Sequence, residues 1–147
     1  MPYKACVLTK TVKTIDEYAF FENSVSGAIA AYPIKSISSH AFFNTNISIN
    51  KQLSIENALP EYAFDRYQGT DLSVCTELVD QFAFYYCDKL SSLYLPETTQ
   101  LSSYAICWCN GNMILNIDKV EELKDRFVNG RRLKALHAKN AKNITGS

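Results

Sequence analysis

Over the first 117 residues the apolar positions recur at one long, fixed step. Ile15-Asp-Glu-Tyr-Ala19-Phe20, Ile37-Ser-Ser-His-Ala41-Phe42, Leu59-Pro-Glu-Tyr-Ala63-Phe64, Val79-Asp-Gln-Phe-Ala83-Phe84 and Leu101-Ser-Ser-Tyr-Ala105-Ile106 are five copies of one pattern. The alanines stand at positions 19, 41, 63, 83 and 105, an almost constant interval. A unit of that size cannot bury its own apolar face, so successive units must stack and share one interior. Stacking places Phe20, Phe42, Phe64, Phe84 and Ile106 in one inner column, and the small alanine lets each turn approach it closely. Leu93-Tyr94-Leu95 alternates at period two and stops at Pro96, the pattern of a short strand with one buried face. A first strand is expected around Cys6-Val7-Leu8. With strands about 4.8 Å apart, five coils make a rod on the order of 25 Å long.

The clearest unit runs Ala83-Phe-Tyr-Tyr-Cys-Asp-Lys-Leu-Ser-Ser-Leu-Tyr-Leu-Pro96. Its Ala-Phe-x-x-Cys-x-x-Leu-x-x-Leu-x-Leu-Pro run resembles the BspA-type leucine-rich repeat. The next coil keeps Cys109, Leu115 and Ile117 in matching places, while Thr45 and Tyr67 stand where that cysteine would be. The resemblance covers residues 4 to 117. It implies an α/β repeat solenoid, a short right-handed superhelix of about five strand-rich coils, each of roughly 20–22 residues. It also implies adhesion or another form of protein binding.

After Ile117 the pattern changes to apolar residues at 120, 123 and 127, the spacing of an amphipathic helix. Asp118 with Glu121 reads as its start and Asn129-Gly130 as its stop. The expected organisation is therefore a solenoid over 1–117 and a C-terminal capping helix with a basic tail over 118–147. No cap is visible at the N-terminal end, where the first coil is expected to leave its apolar interior open. Charge follows the same division. Residues 1–117 carry 7 basic and 11 acidic side chains and residues 118–147 carry 8 and 4, so a net charge of zero conceals −4 against +4. The tail reads first as a solvated segment and only secondarily as a nucleic-acid contact.

Composition adds exclusions. With 47% hydrophobic and 20% charged residues the chain suits a packed domain, not a disordered one. No stretch approaches the roughly 18 apolar residues of a membrane span. No signal-peptide pattern opens the chain, which as written suits the cytoplasm, although similar proteins are often secreted or surface-exposed. Five cysteines at irregular spacing suit reduced thiols better than a disulfide framework. Cys75, Cys87, Cys107 and Cys109 lack zinc-ligand spacing, and the column position of Cys87 and Cys109 suggests packing. His40 and His137 lie in no catalytic pattern, and the five glycines form no phosphate loop, so no catalytic residue, metal, cofactor or small-molecule substrate is expected.

The binding candidates are aromatic. Tyr18, His40, Tyr62, Phe82 and Tyr104 form one repeat column beside Phe21, Phe43 and Tyr85, and their large, low-rotor side chains suit packing between coils as well as binding. Tyr94 on the strand and Arg131 and Arg132 in the basic segment complete the set. The function expected is a noncatalytic protein-interaction module. The alternative is an assembly subunit docking a second copy or another protein through its uncapped N-terminal coil.

Overall fold

The computed structural model of the chain describes residues 4–21, 25–50 and 52–144. Residues 1–3 of the expected first coil and 145–147 of the expected tail lie outside them. Seven strand rungs follow one another: Lys4–Leu8, Val25–Ala30, Ser48–Asn50 with Leu53–Ser54, Asp71–Cys75, Ser92–Tyr94, Ile114–Asn116 and Ala135–His137. The pairings among them are parallel, as those of a coil that returns to the same side must be. The registers Leu72↔Leu93↔Leu115↔Leu136 keep the step of the sequence repeat. The architecture is a strand-rich β-solenoid of about six turns.

A second ladder carries the residues that open each copy of the sequence pattern. Thr14–Ile15 pairs with Ser36–Ile37, Leu78–Val79 with Gln100–Leu101, and Glu122–Leu123 with Asn143–Ile144. An isolated bridge joins Leu59 to Val79. A third ladder, Phe84–Tyr85, Ile106–Cys107 and Val128–Asn129, follows the alanines. Between the ladders lies one core, in which Phe20, Phe42, Phe64 and Phe84 stack at centroid distances of 4.7 to 5.4 Å. Cys87 and Cys109 fill their column as expected: each buried thiol donates to a carbonyl of the coil before, Phe64 O at 3.1 Å and Phe84 O at 3.3 Å. Tyr67 holds the equivalent place one coil earlier and donates its hydroxyl to Ile47 O at 2.6 Å.

The helix expected at the C-terminal end does not form. No helix occurs among the described residues, so the fold is all-β, and the capping helix over 118–130 is replaced by further coil. Leu123 keeps the repeat step from Leu101, and Ile144 pairs with Leu123 in register. The misreading has a physical source. The repeat sets Leu101 and Ala105 four positions apart, a spacing a helix also uses, so Val120, Leu123 and Phe127 satisfy both periods. Asn129 ends the Val128–Asn129 rung and Gly130 bends the chain after it, and Asp118 accepts the Lys139 amide instead of capping a helix. Residues 126–144, none of them buried, continue the coil in the rungs Val128–Asn129, Ala135–His137 and Asn143–Ile144. Lys139 pairs with Asp118, Lys142 with Glu121 and Arg131 with Asp88, each cation reaching an acid on an earlier coil, as Lys119 reaches Glu97.

In the first coil Leu8, Ile15 and Phe20 are buried and Val7 is 59% exposed; in the last described coil Leu136 is 40% and Ile144 82% exposed.

Candidate functional site

From His40 onward each coil turns twice through the left-handed region, and Tyr18 is a further such residue in the first coil. The first such column is Tyr18, His40, Tyr62, Phe82, Tyr104 and Arg126, with φ between 50° and 60°. The second, four positions on, is Asn44, Arg66, Tyr86, Trp108 and Gly130, with φ from 47° to 97°. For a side chain larger than glycine this conformation costs about 1 to 2 kcal/mol. Two sets of contacts offset it. The amide of each first-column residue donates to the same column in the next coil: Tyr18 to His40 O, His40 to Tyr62 O, Tyr62 to Phe82 O, Phe82 to Tyr104 O, and Tyr104 to Arg126 O, at 2.7 to 3.1 Å. Ring stacking supplies the second set.

The stack follows the backbone ladder. Tyr18–His40, His40–Tyr62, Tyr62–Phe82 and Phe82–Tyr104 have centroids 5.4 to 5.7 Å apart, and the two middle pairs are within 8° of parallel. Arg126 ends the column by donating Nη1 to the Tyr104 hydroxyl at 2.8 Å. Tyr18 is 48% exposed, and His40, Tyr62, Phe82 and Tyr104 are half-buried. A half-buried ring sandwiched on both faces meets solvent with its rim. All five predicted aromatics thus share one strip, held by backbone bonds and by one another.

Beside it, Phe21 and Phe43 pack at 5.6 Å, and Tyr85 meets Tyr62 and Phe82 edge-on. Asp65 stands in the Phe21, Phe43 and Tyr85 column and is buried. Its carboxylate lies 3.3 Å from His40 Nε2 and 2.9 Å from Arg66 Nη1. Burial raises its pKa above the ordinary carboxylate range, against the opposing pull of Arg66 and His40. The one non-phenyl ring of the strip therefore meets the one acid of the neighbouring column.

Other candidates lie elsewhere. Tyr94, 42% exposed, is on the Ser92–Tyr94 rung. Arg131 and Arg132 are exposed in the last coil, Arg131 held 2.8 Å from Asp88. The sequence reading did not pick out the second left-handed column, where the Arg66 guanidinium lies 5.4 Å from the Tyr86 centroid and Tyr86 stacks on Trp108 at 6.3 Å. Its signal was available, since Tyr86, Trp108 and Gly130 also recur at the repeat step. Among the described residues no three His, Cys, Asp or Glu side chains converge as metal ligands, and no helix is long and apolar enough to cross a membrane.

Comparison with known proteins agrees with the geometry. The family model described as the BspA type leucine-rich repeat region matches residues 2–113 in six copies. No curated protein and no solved structure matches the chain.

Proposed function

The chain belongs to the BspA-type leucine-rich repeat family, and on that premise we propose that it is a noncatalytic protein-interaction module whose contact strip is the Tyr18–Tyr104 column. One observation carries the reading: five half-exposed rings stand in line, fixed by a backbone ladder. A rigid row of aromatic rims loses little conformational entropy on binding, which favours affinity from modest area. The four steps along the row would accommodate roughly six residues of extended partner chain.

The test is photo-crosslinking from a benzophenone amino acid placed at position 104, with position 56 on another part of the coil as reference. Glu56 is exposed and outside the strip. A discrete adduct from 104 that is absent from 56, and is lost in a Tyr18→Ser variant of unchanged melting profile, is the expected result. Equal capture from both positions would sink the strip as the binding surface.

A further inference from the structure

Each ring of the strip stands third in a four-residue turn. The amides of Ala19, Ala41, Ala63, Ala83 and Ala105 close these turns on the carbonyls three residues back, at 3.1 to 3.3 Å. The two positions ahead of each ring therefore run along one edge of the row. They hold Asp16, Glu17, Glu61 and Asp80, otherwise Ser, Pro or Gln, and no cation. In a chain with 15 Lys plus Arg and 15 Asp plus Glu, that edge is selectively acidic. Asp16 and Glu17 are exposed, Glu61 and Asp80 half-buried, and none of the four takes part in an ion pair among the described residues.

The other edge leaves this charge uncompensated. Its column contains one charged residue beside Phe21, Phe43 and Tyr85, the acid Asp65, which Arg66 and His40 already engage. Lys124 and Arg126 bring the first cations, in the turn that ends the row. Arg126 also shows how an arginine meets these rings, its guanidinium donating to the Tyr104 hydroxyl at 2.8 Å. The hydroxyls of Tyr18 and Tyr62 have no hydrogen-bond partner among the described residues. Between Tyr18 and Tyr104 the ring faces are covered by stacking, so no cation can sit over them. What the row offers is apolar rims, phenolic oxygens and an edge of carboxylates.

From this juxtaposition we propose that the ring strip binds an extended basic segment of a partner protein, and that its acidic edge selects arginine. The aliphatic stem of an arginine lies along the apolar rims while its guanidinium reaches the carboxylates of Glu61 and Asp80, a division that long cationic side chains make readily. The ring-to-ring steps of 5.4 to 5.7 Å are close to the roughly 6.6 Å between alternate residues of an extended chain, so alternate arginines meet successive coils. The rims hold the segment, and the charges steer and choose it. An acidic segment would face four carboxylates with no cation between them. The inference rests on the ring row being the contact strip, and names the chemistry of its partner.

The test uses the full chain and two labelled heptapeptides followed by anisotropy, one alternating arginine with serine and one glutamate with serine. The arginine peptide is expected to bind at least about tenfold more tightly than the glutamate peptide. Its affinity should fall as salt rises from about 0.05 to 0.5 M. A Glu61→Gln, Asp80→Asn double variant should weaken it about tenfold. Glu56→Gln with Glu122→Gln, two exposed acids outside the strip, should leave it unchanged. Tyr18→Ser, at an exposed ring, should weaken it as well, with the melting profile of each variant compared with that of the parent. Equal binding of the two peptides, equal loss from the two pairs of acids, or indifference to Tyr18→Ser overturns the proposal. So does a concentration-dependent dimer in sedimentation that the Glu61→Gln, Asp80→Asn variant abolishes, since it assigns the acidic edge to a second copy. If position 104 gives its specific crosslink while the arginine peptide binds no better than the glutamate peptide, the strip stands and its basic partner falls. No discrete adduct from position 104 together with no binding of the arginine peptide removes both.

Discussion

An aromatic residue at positive φ is a poor local choice, and this chain makes it in coil after coil. Glycine would remove the strain at position 62 but would also remove a ring stacked within 8° of parallel on both His40 and Phe82. Alanine keeps the strain and loses the ring. Tyr62→Ala should therefore be more destabilising than Tyr62→Gly, by about 1 kcal/mol, an inversion of the usual order that urea melts of the two variants can check. Equal stabilities would mean that the left-handed turn relaxes when the ring is gone. Asp65 gives a second test at this scale. Its pKa is raised in the fold, chiefly by burial, so the folded state holds the proton more tightly than the unfolded chain. The resulting contribution to stability is fully present below the ordinary carboxylate range and is lost as pH rises through the raised value. Asp65→Asn removes that loss. The stability difference between parent and variant should shift against the parent across this window, and a difference independent of pH would show that the carboxylate is not desolvated as described.

Elements of two or three residues are set by their neighbours more than by their own composition, and that decided what could be read from the sequence. The Ala-Phe pairs, the inner ring column and the thiol column were legible because each recurs at the repeat step with its residue type kept from coil to coil. The last coil was not, because its residues depart from type while keeping their places: Arg126 where Tyr104 stands one coil earlier, Phe127 for Ala105, Gly130 for Trp108. Position counting would have recovered it, whereas local amphipathicity misled. Gly130 shows why the place matters more than the type. Its φ is +97°, and a Cβ there would come within 2.6 Å of the Trp108 indole, so the glycine serves both the turn and the ring beside it. Gly130→Ala should destabilise the Val128–Asn129 rung by about 1 to 2 kcal/mol and perturb Trp108 fluorescence. An alanine variant with parental stability and spectrum would contradict the packing of Trp108 against that turn.

In the whole molecule each coil is held mainly by the coils next to it, so the value of an apolar side chain depends on how many of its sides are covered. Stability in such a rod is close to a sum of unit and nearest-neighbour contributions, with no distant contact to compensate for an uncovered end. The leucine column makes the comparison with chemistry held constant. Leu93 lies between Leu72 and Leu115 and is fully buried, whereas Leu136 pairs with Leu115 on one side and is 40% exposed on the other. Leu93→Ala leaves a cavity between two coils and should cost about 2 to 5 kcal/mol. Leu136→Ala leaves none and should cost less than about 1 kcal/mol. Phe64→Ala, deep in the ring column, should fall with Leu93→Ala, at about 3 to 5 kcal/mol. Denaturant melts of the parent and the three variants measure these differences, and a cost at Leu136 equal to that at Leu93 would show that burial of the column does not set its contribution.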